Sequence, residues 1–416
     1  MCTSTGKTNE VVVVGGGAAG MLAALFAARS GAKVTLLEKN EKLGKKVYIT
    51  GKGRCNCTNL CDVEDFLREV PRNPRFLYSA LRLMDPEGFL ALLNSLGCET
   101  KVERGRRAFP VSDHASDVTK ALENGLKNQG VAIRFRAEVS RILTAGGQAS
   151  GVALTSGETL PANAVIVCTG GLSYPSTGST GDGYRWARET GHTVTACRPS
   201  LVGLRTQEAW PAQLQGLTLK NICLNAAACG KIFYSGQGEL LFTHYGVSGP
   251  LAIECSAHLP DQAPVSVTLD LKPGLTAEQL DQRLLREFAA AGKKQLATVL
   301  QGLLPQRMAA LLPGVLGVDG KTPCSQVSGK ARALIGTRLK ALPLTVTGTQ
   351  DYNEAIVTRG GVDVKALNAA TMESKKLPGL YFAGEVIDVD AHTGGYNLQI
   401  AWSTGALAGK SAGERP

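Results

Sequence analysis

Residues Glu10–Lys39, EVVVVGGGAAGMLAALFAARSGAKVTLLEK, contain the pattern that predicts the fold. Val11–Val14 form a continuous apolar run, which is typical of a strand buried on both faces. Met21–Ser30 is rich in alanine and leucine, which favour a helix. Ala32–Leu37 predicts a second strand. The order strand, helix, strand predicts a β-α-β unit and therefore a parallel sheet.

The turn between the first strand and the helix carries three glycines, Gly15, Gly17 and Gly20, with the spacing G-x-G-x-x-G. The first allows a tight turn, the second lets a pyrophosphate approach the backbone, and the third lets helix and strand pack closely. Glu38 closes the second strand, where a carboxylate can accept hydrogen bonds from ribose hydroxyls. A glycine-rich turn without a ligand is the alternative, but the flanking elements match what dinucleotide binding requires. The predicted cofactor contacts here are Gly15, Gly17, Ala18, Ala19, Gly20, Glu38 and Lys39.

The composition of the 416-residue chain is that of an ordinary globular protein, with 44% hydrophobic and 19% charged residues. Its length allows two or three domains. The formal net charge of +10 raises the question of nucleic-acid binding, but no long run of Lys or Arg is present. We therefore interpret the charge as attraction for an anionic small-molecule substrate, and expect no nucleic-acid partner.

The sequence predicts a cytoplasmic protein with reduced thiols. Residues 1–9 are polar and lack the apolar segment of a signal peptide. No uninterrupted apolar run of about 18 residues exists, so we expect no membrane partner. Without a secretory signal, the eleven cysteines do not indicate a disulfide framework. The sequence does not predict an oligomeric state.

Gly51–Asn59, GKGRCNCTN, is a loop of glycines and small polar residues that could wrap a cofactor. Arg54 and Asn56 are its candidate cofactor contacts. Three nearby cysteines with the spacing C-x-C-x3-C invite a metal interpretation, but they lack a fourth ligand and do not have zinc-finger spacing. We therefore predict no metal site at Cys55, Cys57 and Cys61.

Two further strands end in candidate cofactor segments. Val131–Leu143 alternates like a strand, and its Val139 is the candidate for a backbone contact with an adenine. Ala164–Cys168 has the pattern of a buried strand and is followed by a glycine-rich loop. Open α/β sheets bind ligands at the carboxyl ends of their strands, which favours a ligand loop over a flexible surface loop. The candidate contacts are Val139, Thr169, Gly170 and Gly171.

Composition changes near residue 200, and the middle of the chain predicts inserted domains. Leu201–Asp270 carries short alternating strand patterns, which indicate a mainly β domain. Thr276 and Gln279 form a capping-box pattern, and the following helix has one apolar face, made of Leu280, Leu284, Leu285 and Phe288. The predicted domains are a discontinuous cofactor domain (1–195 and 350–416), an inserted β domain (196–272 and 335–349) and a helical subdomain (273–334).

The C-terminal segment returns to the pattern of the first domain. Gly379–Glu385 predicts a strand that ends in glycine and an acid, and two glycines then precede an apolar helix. FAD proteins of the glutathione-reductase type hold the ribityl chain with a late strand of this kind, so the pattern favours FAD. No second G-x-G-x-x-G follows a strand, so NADH or NADPH would bind only transiently as electron donor. The candidate contacts are Gly384, Glu385, Asp388, Gly395, Asn397, Leu398 and Gln399.

Taken together, these segments predict an α/β fold. Its main part is a discontinuous FAD-binding, Rossmann-like domain of the glutathione-reductase type. A mainly β domain and a small helical subdomain are inserted into it.

Four separated motifs resemble signatures of the YhiN/BaiN-like bacterial flavoproteins. This family includes aminoacetone oxidase and a bile-acid 3-dehydro-Δ4,6-reductase. The motifs are Gly51–Asn56, Thr169–Pro175, Phe242–Pro250 and Thr393–Asn397. The resemblance spans nearly the whole chain, and it implies one FAD, an inserted β domain and a helical subdomain. Ala391-His392 departs from the glycine-containing turn that the family leads us to expect before Thr393.

Three side chains are candidate catalytic groups: His244, His392 and Tyr396. Reduction through a flavin needs a group that completes protonation of the substrate, and imidazole is the commonest general acid or base. Tyr396 could stack or donate a hydrogen bond. A structural role is the alternative for each of the three.

Three functional hypotheses follow from the resemblance and the charge. The first is an oxidoreductase that uses NAD(P)H and FAD to reduce a conjugated C=C bond of a 3-oxo steroid or bile acid. The second is a flavin amine oxidase of the aminoacetone oxidase type. The third is a flavin-containing RNA-binding protein, which the net charge suggests but which the lack of interleaved aromatic and basic residues disfavours.

Overall fold

The computed structural model describes residues 9–261 and 264–415. Its contacts divide the chain into two compact units. One unit ends at Ser200 and resumes at Tyr352, and the other spans Leu201–Asp351. The first unit is therefore discontinuous, and the second is a continuous insertion.

The first unit is built on a parallel sheet of five strands. In spatial order they are β19 (Leu380–Phe382), β10 (Ala164–Val167), β1 (Glu10–Val14), β2 (Lys33–Glu38) and β6 (Ala132–Phe135). All four residues of β10 and the four valines of β1 are buried, as expected for central strands of a parallel sheet. The predicted α/β class is confirmed, and the late strand β19 joins the sheet beside β10.

Two helices of the first unit pack directly on each other: α1 (Ala18–Arg29) and α13 (Tyr396–Gly413). Three glycines recur every fourth residue along α13, and a Cβ at any of them would come within 2.7 Å of a backbone oxygen of α1. The facing pairs are Gly405 with Ala19, Gly409 with Ala23, and Gly413 with Ala27. Because no side chain intervenes, the two backbones touch, and α13 is held against the first β-α-β unit.

The other strands of the first unit form smaller antiparallel sheets. One sheet contains β3 (Thr58–Asn59), β4 (Thr100–Glu103) and β5 (Arg107–Pro110), and another contains β7 (Val139–Ala145), β8 (Gln148–Leu154) and β9 (Thr159–Pro161). A strand pair consists of β11 (Val194–Ser200) and β18 (Val357–Val362). The remaining helices are α2 (Val63–Arg68), α3 (Tyr78–Leu83), α4 (Pro86–Ser95), α5 (Ala115–Asn128) and α6 (Asp182–Glu189).

The second unit contains a closed antiparallel barrel of six strands. In order around the barrel they are β12 (Leu204–Thr206), β15 (Gly246–Ser248), β14 (Lys231–Thr243), β13 (Thr218–Ala228), β16 (Val265–Asp270) and β17 (Leu342–Thr349). Its helices are α7 (Trp210–Gln213), α8 (Gly249–Ala257), α9 (Ala277–Ala291), α10 (Leu296–Leu300), α11 (Gln306–Val315) and α12 (Gly329–Lys340). The inserted β domain and helical segment of the predicted fold class are thus both present.

Helix α9 begins with the predicted capping box. The Gln279 N–H donates to Thr276 Oγ1 (3.2 Å), and the Thr276 N–H donates to Gln279 Oε1 (2.9 Å). Leu284 is buried as predicted, but Leu285 is 43% exposed. Adjacent helical residues are turned by about 100°, so Leu285 lies off the buried face.

Helix α12 extends to Lys340, past residue 334, where the helical segment was predicted to end. Ile335 and Leu339 are both fully buried and four residues apart, so the apolar face of the helix continues to its last turn. Strand β17 begins two residues later, at Leu342.

The ten cysteines of the described residues are all free thiols. In the same part of the chain, no helix combines the length and apolarity that crossing a membrane requires.

Candidate functional site

Several loops leave the parallel sheet at one edge, beyond the carboxyl ends of its strands. The Gly15 N–H donates to the carbonyl of Leu37 (2.8 Å), and the Ala383 N–H donates to the carbonyl of Val167 (3.1 Å). A Cβ at Gly15 would lie 2.5 Å from the Cys168 carbonyl oxygen, so only glycine lets these two loops meet. Open α/β sheets bind ligands at this edge.

The N-terminus of α1 is uncapped and has space in front of it. Gly17 is the N-cap residue, and among the described residues no side chain caps the helix. A Cβ at Gly17 would meet no described atom within 4 Å, whereas one at Gly20 would lie 1.8 Å from the Gly15 carbonyl oxygen. Met21 is the first residue whose N–H forms a helical hydrogen bond, which it donates to the Gly17 carbonyl (3.0 Å). The preceding N–H groups have no helical partner and suit a diphosphate; they belong to Ala18, Ala19 and Gly20.

Glu38 lies beside this turn and is only 7% exposed. Its Oε2 accepts the Gly16 N–H (2.7 Å), and its Oε1 accepts both the backbone and the side-chain N–H of Asn40 (2.8 and 2.7 Å). A carboxylate has about four acceptor positions, so a ribose hydroxyl can still donate to it. Lys39, in contrast, forms an ion pair with Asp182 (2.9 Å), which directs its ammonium group toward α6.

Val139 begins β7 close to Glu38 in space. The Ala137 N–H donates to the Glu38 carbonyl (3.0 Å), which ties the connection between β6 and β7 to the end of β2. The Val139 side chain is buried and its residue is paired with Leu154. Contact with an adenine from this residue would therefore come from its backbone.

The loop after β10 is packed, which contradicts the alternative of a flexible surface loop. A Cβ at Gly171 would lie 2.4 Å from Thr358 Oγ1, and that hydroxyl accepts the Leu172 N–H (2.8 Å). Gly170 has a φ of 72°, which favours glycine. Thr169 Oγ1 is buried, and within residues 9–261 and 264–415 it has no hydrogen-bond partner. An orphaned hydroxyl of this kind is suited to a ligand.

The loop after β19 lies against the first turn of α1. Gly384 has a φ of 79°, and a Cβ there would lie 2.7 Å from the Ala19 Cβ. Its N–H donates to Thr404 Oγ1 (3.0 Å) on α13. Glu385 forms an ion pair with Lys46 (2.7 Å) and also accepts a backbone N–H, so both of its oxygens have protein partners.

Asp388 is a buried acid, 8% exposed. Its Oδ1 has no hydrogen-bond partner among the described residues. Burial raises the pKa of the Asp388 carboxyl, although a hydrogen bond with Thr195 and the charge of Arg72 oppose this. A buried acid with a raised pKa and an oxygen that lacks a partner in the described chain is a candidate ligand-binding group.

The N-terminus of α13 is a second helix end without a side-chain cap in the described chain. Gly395, its N-cap, has a φ of 105°, and a Cβ there would lie 2.5 Å from the Thr58 carbonyl carbon. The N–H groups of Asn397 and Leu398 precede the first helical hydrogen bond and remain suited to a ligand.

The contact of Gln399 with the cofactor stays a prediction: its Oε1 is buried and has no hydrogen-bond partner among the described residues, but its N–H groups have protein partners. Its N–H donates to the Gly395 carbonyl (3.1 Å), so it belongs to the helical ladder. Its side chain is fully buried and donates to Met84 O and Ser403 Oγ (both 2.9 Å). The side chain of Asn397 is also engaged, because it bonds the carbonyls of Ala391 and His392.

The loop Gly51–Asn59 lies next to the same helix end. Asn59 Nδ2 donates to the Gly394 carbonyl (3.3 Å). In the described residues, two buried atoms of this loop have no partner: Asn56 Oδ1 and Thr58 Oγ1. Asn56 Oδ1 can accept a hydrogen bond and Thr58 Oγ1 can donate or accept one, so the ring of a bound flavin could pair with both atoms.

Arg54 points away from these atoms. Its guanidinium bonds to Asp113 (2.6 Å) and Glu103 (2.5 Å) and stacks over Phe109, 4.1 Å from the ring centre. Hydrogen bonds from Glu103 and Asp113 raise the pKa of Arg54. Arg54 therefore holds the loop in place, and its direct contact with the cofactor stays a prediction.

His392 and Tyr396 lie on either side of the N-cap of α13, and Glu69 acts on both of them. His392 Nδ1 lies 2.9 Å from Glu69 Oε2. Tyr396 packs edge-on against Phe66, with 5.2 Å between the ring centres. Burial, and then the charge of Glu69, raise the pKa of the Tyr396 phenol.

His244 belongs to the second unit, where it is exposed in the turn between β14 and β15. Its ring lies edge-on to Tyr245, with 5.0 Å between centres. Its catalytic role remains a prediction.

No group of three or more His, Cys, Asp or Glu side chains in the described chain is placed to hold a metal ion. Cys55 and Cys57 are buried, with their sulfur atoms 3.8 Å apart. A hydrogen bond between them, and then burial, raise the pKa of Cys57. A buried thiol with a raised pKa stays protonated, so Cys57 fits a packing role better than metal binding.

Sequence reasoning missed several residues that complete this site, namely Thr58, Glu69, Thr358 and Thr404. Thr58 was part of the quoted loop, and its buried hydroxyl could have been predicted from the neighbouring glycines. The other three carry no local signal, because their partners are distant in the chain.

A flavin adenine dinucleotide fits this edge of the sheet. Two helix N-termini lack side-chain caps, Glu38 is placed to bind a ribose, and several buried polar atoms have no partner among the described residues. The fold and this site define an FAD-dependent oxidoreductase of the Rossmann type. The chain belongs to the HI0933-like family, because the family model "HI0933-like protein Rossmann domain" matches residues 9–411. The predicted resemblance to YhiN/BaiN-like flavoproteins is confirmed.

Two similar proteins have different activities. The chain is 33% identical to "3-dehydro-bile acid delta(4,6)-reductase" of Clostridium scindens, over 98% of this chain and 100% of the relative. It is also 33% identical to "Ribosomal RNA dihydrouridine synthase" of Haemophilus influenzae, over 95% of this chain and 96% of the relative.

A solved structure, 3-ketosteroid-delta4-(5alpha)-dehydrogenase from Rhodococcus jostii, is similar in fold. The TM-score is 0.54 at 14% identity, and the match covers 100% of this chain and 99% of the other. At this identity the likeness concerns the fold alone.

Proposed function

We propose that this protein uses NAD(P)H and FAD to reduce a C=C bond that is conjugated to a carbonyl group. The observation that carries the proposal is the full-length match, at 33% identity, to a bile-acid reductase. Reduction of a uracil ring to dihydrouracil is the same chemistry, so the second relative supports the same reaction class. We propose cytoplasmic location as well.

The uncapped N-terminus of α1 would hold the diphosphate, and Glu38 the ribose. The N-terminus of α13, with Asn56 and Thr58 beside it, would hold the flavin ring. Bound FAD supplies the hydride equivalent of the reaction. The protein's own side chains must then orient the substrate and complete its protonation.

The first candidate substrate is a 3-oxo-4,6-diene of the bile-acid type. Its dienone is a conjugated C=C acceptor, and its side-chain carboxylate suits a chain with a net charge of +10. This candidate follows the sequence prediction.

The second candidate substrate is a uracil base in structured RNA, which departs from the expectation of no nucleic-acid partner. The charge distribution favours it. Residues 277–340 contain ten Lys or Arg and four Asp or Glu, so this helical segment carries six of the ten excess positive charges. Phosphate contacts of RNA-binding proteins come mainly from such residues.

Three lysines of the helical segment lie close together. Gln295 and Pro323 form an antiparallel bridge, and the Cys324 N–H donates to the Lys294 carbonyl (2.9 Å). This pairing brings Lys293 and Lys294 beside the segment that contains Lys321. All three are exposed, and in the part of the chain that is described none forms an ion pair.

The experiment compares the two substrates anaerobically. FAD-loaded protein is reduced with NADH or NADPH, and flavin reoxidation is then followed with a 3-oxo-4,6-diene bile acid or with unmodified ribosomal RNA. Reoxidation by one of them supports the proposal and identifies the substrate class. Reoxidation by neither, together with peroxide release from aminoacetone under oxygen, would replace it with the amine oxidase hypothesis.

A charge variant tests the RNA candidate. The triple variant K293Q/K294Q/K321Q should lower the salt dependence of RNA binding, since each phosphate contact contributes about 0.7–0.9 to the slope of log affinity against log salt. The slope should fall by about 2–3 if all three contacts are lost. The control K120Q/K220Q/K231Q removes three other exposed lysines and should change the slope little.

A further inference from the structure

Glu69, the C-cap residue of α2, contacts His392 twice. The His392 N–H donates to the Glu69 carbonyl (2.9 Å), and His392 Nδ1 lies 2.9 Å from Glu69 Oε2. An ionised carboxylate can only accept hydrogen bonds, so the proton of this contact is on Nδ1. Because the charge of Glu69 also acts on the Tyr396 phenol, one acid affects both His392, in the loop before α13, and Tyr396, the first residue of α13.

The loop that carries His392 is fixed from its other side as well. Asn397 Oδ1 accepts the Ala391 N–H (2.9 Å), and its Nδ2 donates to the carbonyls of Ala391 (2.7 Å) and His392 (3.1 Å). Hydrogen bonds with Asn397 and Glu69 therefore fix the main chain at His392, and the contact of Nδ1 with Glu69 fixes the imidazole ring. Such double fixation determines both the orientation and the tautomer of a histidine.

We propose that Glu69 is a positioning residue that holds Nδ1–H of the His392 imidazolium, so that Nε2–H delivers the proton that completes C=C reduction and the Nδ1-protonated tautomer remains. This inference rests on the proposed function. His392 is three residues before Gly395, the N-cap of the helix end that would hold the flavin ring. Burial raises the pKa of the Tyr396 phenol, which makes it a poor proton donor near neutral pH.

The π bond of the substrate breaks, and two C–H bonds form. One carbon takes the hydride equivalent that NAD(P)H provides by way of bound FAD, and the other takes the proton from His392 Nε2. The substrate is reduced, NAD(P)H is oxidised, and water returns a proton to the imidazole.

The test uses the variants E69A, E69Q and H392N in the FAD-loaded protein. The matched control is E64Q, since Glu64 is on the same helix, is exposed, and bonds to Tyr78 instead. Rapid mixing separates reduction of the flavin by NAD(P)H from its reoxidation by substrate. Long-range ¹H–¹⁵N NMR of histidine-labelled protein reports the tautomer, and with five histidines the H392N spectrum identifies the His392 signals.

We expect E69A to slow reoxidation by substrate at least ~10-fold, as H392N does, because loss of an aligned proton donor costs about 10²–10⁴ in rate. Reduction by NAD(P)H should stay within about twofold, and E64Q should match the wild type in both steps. In the NMR spectrum, His392 should be Nδ1-protonated in the wild type and lose this preference in E69A. E69Q, which keeps an acceptor oxygen, should partly restore both.

Two results would overturn the inference. One is an unchanged His392 tautomer in E69A, and the other is a reoxidation rate in H392N equal to that of the wild type. If the wild-type protein turns over neither candidate substrate, the proposed function fails, and the tautomer measurement still decides whether Glu69 positions His392.

Discussion

The substitution Gly17→Ala should separate cofactor binding from folding. Gly17 has backbone angles of −80° and −167°, which alanine adopts without strain. A Cβ there meets no described atom within 4 Å, so the added methyl group projects into the space in front of α1. We place the FAD diphosphate in that space, and the methyl group would therefore collide with the cofactor and with little else.

The size of the effect follows from this geometry. Overpacking by one methyl group costs about 1–3 kcal/mol, which corresponds to a loss of FAD affinity of roughly 5- to 150-fold. The apoprotein should be unchanged or more stable by about 0.4–1 kcal/mol, because replacing glycine lowers the entropy of the unfolded chain.

The assay combines FAD titration by flavin fluorescence with urea unfolding of the apoprotein. Gly20→Ala is the matched control, since a Cβ at Gly20 would lie 1.8 Å from the Gly15 carbonyl oxygen. That variant should lose apoprotein stability as well as FAD. A Gly17→Ala protein with wild-type FAD affinity would refute our placement of the diphosphate.

Three further predictions concern the apoprotein, and urea unfolding checks each of them. Gly409→Val should destabilise the fold by about 3 kcal/mol, because its Cβ would lie 2.1 Å from the Ala23 carbonyl oxygen; an unchanged midpoint would contradict this contact. Burial raises the pKa of Asp388, so the folded state binds its proton more tightly and loses stability as pH rises above about 4. Asp388→Asn should therefore stabilise the fold near neutral pH and not at about pH 3; equal gains at both would exclude burial as the cause. The hydrogen bond from Arg54 lowers the pKa of Glu103, so Arg54→Gln should destabilise near neutral pH and progressively less as pH falls below about 4; a pH-independent effect would exclude this pair.

Local patterns in the sequence were sufficient for several elements. The valine run, the three spaced glycines and the alanine-rich segment specify β1, the turn and α1, because each signal lies within a few residues of the structure it determines. The capping box of Thr276 and Gln279 predicts the start of α9 for the same reason. The apolar late strand and the two glycines before α13 were also visible, and with them the FAD-type fold.

The contact partners across the fold required the tertiary structure. Gln399 was predicted to contact the cofactor because it follows a glycine pair, and only the structure shows that the rotation of α13 directs its amide N–H to Met84. That rotation follows from the contact of Gly405 and Gly409 with α1, which no local pattern reveals.

The sequence by itself determined that this chain has a dinucleotide-binding unit interrupted by an insertion. Only the tertiary structure decided which side chains surround the site. Glu69 and His392 are separated by 323 positions, yet they form two hydrogen bonds. The physical reason is that helix and strand signals are local, whereas the pairing of side chains depends on how distant segments pack.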